Sequence, residues 1–268
     1  MYSRKPFLKW AGGKQRLLDK IVAALPAGQR LVEPFVGSAA LFLGTDYPAY
    51  LLADTNSDLI NLYRHLAKDG KIFIKEAAAL FRPSMNTAEK YYEFRQKFND
   101  ATDLTERALY FLYLNRHAYN GLCRYNSRGG FNVPFGKYVR PYFPKNELDY
   151  FVAKCKRVDV QFKCQSFQKT FKSIKDDDVI YCDPPYYPLS ATSSFTTYTG
   201  QTFDHNEQAE LARLAKNSPA PVIISNHDLH ATRELYEHAE ISSFPVRRCI
   251  SCKGDGRKSV QALLALYS

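Results

Sequence analysis

The chain has 268 residues, 45% of them hydrophobic, which allows a sizeable core and argues against disorder. Its net charge of +10, from 37 Lys and Arg against 27 Asp and Glu, points toward a polyanionic partner without identifying one. No apolar run approaches the roughly 20 residues that span a bilayer, and "MYSRKPFLKWAGGK" lacks the apolar core of a signal peptide, so a cytoplasmic protein is expected, with no membrane partner.

In chain order, residues 17–25 read as a short helix ended by Pro26-Ala27-Gly28. "RLVEPFVG" reads as a buried strand over residues 31–35 that runs into a glycine turn at Gly37, after which "SAALFL" opens a helix. "AYLLAD" is a second buried strand ending in Asp54, and "NSDLINLYRHLAKDG" is helical, capped by Asn56 or Ser57. This β-turn-α-β rhythm predicts a parallel sheet. At about residue 60 the rhythm stops: 71–80, 87–99 and 104–115 read as three helices. They are followed by "HAYNGLCRYNSRGGFNVPFGKYVRPYFP", a loop or hairpin dense in Tyr, Phe, Arg, Lys and Gly. Strand signals return at "VDVQFKC", "DVIYCD", "PVIISNHD" and "VQALLALYS", with helices over 206–216 and 231–238. The expected organisation is an α/β domain interrupted by a mainly helical insertion, at residues 56–144.

Six cysteines are scattered along the chain, with one C-x-x-C at Cys249–Cys252 and no second pair or close histidine to complete four zinc ligands. Reduced thiols and no metal are expected.

Two strands end in what a nucleotide-like ligand needs. In parallel α/β sheets ligands sit at the carboxyl ends of strands near a switch point. Gly37 lets backbone approach a ligand, and Asp54, at the next strand end, has two oxygens for ribose hydroxyls; the plainer alternative for Asp54 is an N-cap. The single glycine of Gly37-Ser38-Ala39-Ala40 does not make a dinucleotide fingerprint, and "AGGKQR" does not have phosphate-loop spacing. A ligand without a pyrophosphate, such as S-adenosylmethionine, fits better, with Lys14 for its carboxylate and Trp10 as an apolar wall.

"VIYCDPPYYP" ends an apolar run in Asp183, a costly place for a charge unless it is used. Pro184 and Pro185 stiffen the turn, so Asp183 and the Pro184 carbonyl form two adjacent acceptors, with Tyr186 as a flat face. Such a set holds a planar ring by an exocyclic NH₂. Accepting both protons of adenine's amine localises its lone pair toward an electrophilic methyl, a catalysis of positioning and electrostatics. A base in a duplex must flip out to reach it. The plain alternative is a rigid Pro-Pro turn after a strand.

With these residues in view the chain resembles the DNA adenine-N6 methyltransferases of the Dam type. "FLKWAGGK", "LVEPFVGSAALF", "YLLADTNSDLI", "FLYLNRHAYNGLCRYN", "FNVPFGKY", "YCDPPYYPLSAT" and "VIISNHD" are similar to that family's segments, in its order. The resemblance implies a Rossmann-like S-adenosylmethionine-dependent methyltransferase domain, residues 1–55 and 145–268, with residues 56–144 as an inserted target-recognition domain carrying a β-hairpin. It implies cofactor contacts at Trp10, Lys14, Asp54 and Asp183, with Glu33 and Phe35 in the same motif. It implies double-stranded DNA as partner, adenine in GATC as target and no obligatory protein partner, so a monomer is expected. Within the insertion Arg124 is the candidate for bidentate contact with a guanine, and Leu122 and Pro134 for contact with a thymine methyl. By resemblance Lys9 reads the first guanine, Tyr119 and Asn120 fill the space of the flipped adenine, and Lys137 and Tyr138 contact phosphate. Ser190, in "SATSSFTTYTG", is expected in a loop over DNA, and "RRCISCKGDGRKS" in a basic DNA-facing loop. Two other readings stay open: a methyltransferase acting on RNA or a protein amide, and a DNA-binding module with an inactive cofactor fold.

Overall fold

A computed structural model describes residues 4–188, 203–247 and 259–268. A single 3-10 turn, Lys14–Arg16, leads into α1 (Leu18–Ala24), β1 (Arg30–Glu33), α2 (Ala40–Gly44), β2 (Ala49–Asp54) and α3 (Ser57–Ala79). Then come α4 (Ala88–Asp100), α5 (Leu104–His117), α6 (Lys145–Cys155), β3 (Asp159–Cys164), α7 (Phe167–Phe171) and β4 (Asp178–Cys182). The chain continues through α8 (His205–Lys216), β5 (Val222–His227), α9 (His230–Leu235), β6 (Glu240–Arg247) and β7 (Ser259–Tyr267).

Among the described residues seven strands form one sheet in the order β3-β2-β1-β4-β5-β7-β6. The first five are parallel, and β7 runs antiparallel between β5 and β6. β1, β2, β4 and β5 are apolar runs because helices cover both their faces. Alternation splits them between two cores: Leu31, Val179 and Ile223 join one, and Val32, Ile180 and Ile224 the other. The order reverses between β1 and β4, where Val32 pairs with Ile180. That reversal opens the crevice outside the strands' carboxyl ends.

The helices expected as two elements on either side of residue 70 are one, α3, kinked at Asp69 (φ −124°, ψ 30°). Its first turns lie on the sheet, with the Tyr63 hydroxyl donating to the Gly37 carbonyl at 2.5 Å and Arg64 to the Phe162 carbonyl at 2.8 Å. After α5 the expected hairpin is closed by two isolated antiparallel bridges, Ala118 with Phe135 and Tyr125 with Phe131, and not by continuous strands.

Three elements were not foreseen. α6 has Pro144 at its N-cap, which offers no side-chain cap, so its start signal is missing, although Leu148, Phe151, Val152 and Cys155 have helical spacing. α7 is only a turn and a half. β6 contains Pro245, which argues against a strand from sequence; as the sheet's edge strand it tolerates the missing N–H. No helix among the described residues is long and apolar enough to cross a membrane. Ser190 and the Cys249–Cys252 pair lie outside the described residues.

Candidate active site

The nine residues expected to be catalytic or to hold the cofactor all line one cleft of about 770 Å³ at the carboxyl ends of β1, β2 and β4: Trp10, Lys14, Glu33, Phe35, Gly37, Asp54, Asp183, Pro184 and Tyr186. The volume is that of an ordinary small-ligand site. Each acid arrives at the end of a buried strand, so the apolar run before it sets its position.

Asp54 is held by backbone. Its Oδ2 accepts from Gly37 N at 3.1 Å and its Oδ1 from Asn56 N at 2.9 Å. It is not the N-cap of α3; that is Asn56, whose side chain accepts from Leu59 N at 3.0 Å. Burial pushes the Asp54 carboxyl up, against these hydrogen bonds. Gly37 has φ +46°, and a Cβ there would stand 3.0 Å from the Trp10 indole nitrogen, so the glycine is needed for conformation and for space. Glu33 is 3% exposed, its Oε1 has no hydrogen-bond partner among the described residues, and burial pushes its carboxyl up to about 8. Phe35 stacks on Phe167 at 5.5 Å and meets Phe203 edge-on at 5.7 Å, giving the cleft an aromatic wall. Phe167 and Phe203 were missed, since each is an isolated aromatic without a motif around it.

These features fit S-adenosylmethionine. A buried carboxylate oxygen without a donor, a backbone-fixed acid beside a glycine turn, a buried lysine and an aromatic wall offer partners for an ammonium, a ribose, a carboxylate and a purine.

Lys14 and Asp183, read from the sequence as separate contacts, are in direct contact. Lys14 Nζ lies 2.6 Å from Asp183 Oδ1, donates to the Gly12 carbonyl at 2.7 Å, and sits 4.5 Å from the Tyr186 ring centroid. Burial works against both charges; the carboxylate nevertheless holds Lys14 above its ordinary value, and burial leaves Asp183 raised despite Lys14. Ser225 Oγ also donates to Asp183 Oδ1, at 3.0 Å.

The stiff turn is braced by a buried polar network that sequence reasoning did not find. Gln208 of α8 donates to the Pro185 carbonyl at 2.8 Å, and Asn226 of β5 accepts from Tyr187 N at 2.9 Å. Asn226 Nδ2 donates to Gln208 Oε1 at 3.1 Å and to the Tyr236 hydroxyl at 3.0 Å. His227 meets the Tyr186 ring edge-on at 4.8 Å. The signal was the polar "SNH" closing an otherwise apolar strand.

The residues expected to face DNA lie on Lys9 and the excursion after α5. Tyr119 is 51% exposed in a 3-10 turn, Tyr119–Gly121, where Asn120 (φ +52°) and Gly121 (φ +63°) are both left-handed. Tyr119 N donates to the Pro134 carbonyl at 2.9 Å, placing the two ends of the excursion side by side. Lys9 is clasped by Asn115 through both backbone groups, at 2.9 and 2.7 Å. Its ammonium lies 3.7 Å from the Tyr138 ring centroid, and burial together with Arg116 lowers it to about 8. Leu122 is half-buried, whereas Arg124, Pro134 and Lys137 are exposed. Arg124 Nε donates to Asn132 Oδ1 at 2.8 Å.

The family described as D12 class N6 adenine-specific DNA methyltransferase matches residues 10–249. The chain is 50% identical to the DNA adenine methylase of Escherichia coli (strain K12), covering 100% of this chain and 96% of that protein. It is 49% identical to the DNA adenine methylase of Serratia marcescens, covering 100% of both, and 48% identical to that of Vibrio cholerae serotype O1, covering 100% and 98%.

Proposed function

Because the chain belongs to the D12 class of N6 adenine-specific DNA methyltransferases, we propose a residue-by-residue account of how it methylates DNA. The reaction it catalyses places a methyl group on N6 of adenine in DNA, and S-adenosylmethionine, when bound, supplies that methyl as an electrophile on sulfur. The target proposed is adenine within duplex GATC.

On the cofactor side, Asp54 would hold the ribose hydroxyls, Lys14 the carboxylate, Glu33 the ammonium, and Trp10, Phe35 and the Gly37 turn the apolar surfaces. On the substrate side, the adenine flips out of the duplex, because an amine in the stack cannot reach a pocket at the strand ends. Tyr186 stacks on it. Asp183 and the Pro184 carbonyl accept the two amine protons; since Lys14 and Ser225 engage Oδ1, the amine is assigned to Oδ2. Held by these two acceptors, the amine nitrogen would have its lone pair directed at the methyl that bound S-adenosylmethionine would supply. The surplus amine proton leaves through Asp183 to water. Fixed acceptors that meet charge developing on nitrogen need no reorganisation during the reaction.

On the DNA side, residues 56–144 are assigned to target recognition. Tyr119 and Asn120 fill the gap, Arg124 and Lys9 read guanines, Leu122 and Pro134 touch a thymine methyl, and Lys137 and Tyr138 contact phosphate. Ser190 is assigned to the flanking DNA. One chain suffices for this interface, so a cytoplasmic monomer is proposed.

The observation that carries the account is the placement of Asp183, on a two-proline turn beside the switch point, in the same cleft as Glu33 and Asp54. It is tested by digesting DNA from expressing cells with nucleases that are blocked by, or require, methylated GATC, alongside methyl transfer to GATC duplex, one-base neighbours, single strands and RNA. Protection at GATC alone, lost in Asp183→Ala, is expected. Full turnover by Asp183→Ala, or equal methylation of RNA, overturns the account.

A further inference from the structure

Arg124 stands between two pinned neighbours. Successive side chains of an extended chain face opposite sides, and here Cys123 is buried, Arg124 exposed and Tyr125 half-buried. Both inward side chains end on the first turn of α3. Tyr125 donates its hydroxyl to Asp58 Oδ2 at 2.7 Å, and Asn56 Nδ2 lies 3.7 Å from Cys123 Sγ. Asp58 is itself anchored: it is 4% exposed and takes two contacts from Arg107, at 2.5 and 3.2 Å. Arg107 in turn donates to the Phe98 carbonyl at 2.9 Å and lies 4.3 Å from the Phe98 ring centroid. The same turn of α3 supplies the Asn56 amide that holds Asp54. One helical turn thus supports both the acid assigned to the cofactor and the extended segment that carries the arginine assigned to a guanine.

We infer that Tyr125, tethered to Asp58, is a specificity-determining positioning residue that fixes the direction in which Arg124 meets the DNA. The inference rests on the reading of Arg124 as a guanine contact. Without the tether the segment keeps its hydrophobic packing, the Asn132 N to Arg124 carbonyl hydrogen bond at 3.1 Å and the Arg124–Asn132 side-chain contact, but it loses the charge-assisted hydrogen bond that ties it to α3, and Arg124 then samples directions in which a wrong base is no longer rejected.

Tyr125→Phe isolates the tether. It keeps the ring and its edge contact with Phe131 at 5.9 Å, and it leaves the Asp58–Arg107 pair intact. The measured quantity is the ratio of kcat/KM on GATC duplex to kcat/KM on duplexes changed at either guanine, for wild type, Tyr125→Phe, Arg124→Ala and the double variant. The ratio is expected to fall about tenfold in Tyr125→Phe, as for loss of one hydrogen bond to a charged group, with cofactor affinity unchanged. Asp58→Asn is expected to lower it as well. The double variant should discriminate no worse than Arg124→Ala, because the tyrosine acts through the arginine. If Arg124→Ala loses discrimination while Tyr125→Phe retains it, the tether is wrong and the Arg124 reading stands. Multiplying effects in the double variant also overturn the tether. Wild-type discrimination in Arg124→Ala overturns both, through the reading on which the tether depends.

Discussion

Lys14 Nζ and Asp183 Oδ1 are 2.6 Å apart, and the two side chains are only 10% and 20% exposed. Neither charge is stable there alone. Deleting one member of a buried pair generally costs about 3–5 kcal/mol, because the other is left uncompensated. In Lys14→Met, burial continues to push the Asp183 carboxyl up and the opposing pull of Lys14 is gone. In the role proposed for it Asp183 accepts an amine proton as the ionised carboxylate, so the acid limb of the kcat/KM profile is expected to move to higher pH. A pH–rate profile of the variant checks this; an acid limb at the wild-type pH contradicts it.

Glu33 gives a pH dependence of stability. Burial raises its carboxyl from 4.5 to about 8, so the folded chain holds the proton more tightly than the unfolded chain does. The stabilisation from that proton is complete below the unfolded value, and it is lost as pH rises through the folded one. The cofactor-free protein should therefore lose Tm between about pH 5 and about pH 8. Glu33→Gln, which cannot ionise, should flatten that fall, as read by thermal unfolding at a series of pH values.

The bracing of the Asp183 turn is open to a kinetic test. Gln208→Met leaves the Pro185 carbonyl and the Asn226 amide each short of a partner in a buried network, at about 1–3 kcal/mol for each unsatisfied group. Gln208 touches neither substrate in the account above. The expected signature is a reduced kcat with the KM values for DNA and cofactor within a few-fold of wild type. A variant with lowered Tm but wild-type kcat would limit Gln208 to stability.

Gly121 makes room for Lys9. With φ +63° and a Cβ that would stand 2.3 Å from the Lys9 Cβ, alanine there is strained in backbone and in space. The left-handed conformation alone costs about 1–2 kcal/mol. Gly121→Ala is expected to displace Lys9 from the Tyr138 ring and weaken binding to GATC duplex, leaving cofactor affinity intact. Equilibrium binding of both ligands separates these effects.

Much of the fold was legible because its signals are local. β2 and β4 are apolar runs that an acid closes or follows, so Asp54 and Asp183 announce themselves, whereas Glu33 reads as lying inside its strand and is singled out only by the family resemblance. β6 was hidden by Pro245, acceptable only because it lies at an edge, and α6 by the lack of a capping residue. Gln208, Asn226 and Ser225 were hidden for another reason. Their partners in the turn lie 23 to 42 residues away, and a buried glutamine has no periodic signature.

The sequence by itself determined the chemistry available: two strand-end acids, a lysine after a glycine pair, a two-proline turn and an arginine-bearing excursion. Only the tertiary structure decided that Lys14 pairs with Asp183, that Asn56 rather than Asp54 caps α3, and that Tyr125 reaches Asp58. The physical reason is range. Capping preference, chain stiffness and hydrophobic period are properties of neighbouring residues. Which strand lies beside which follows from burying both faces of the central strands, and the β3-β2-β1-β4-β5-β7-β6 order brings the distant partners together.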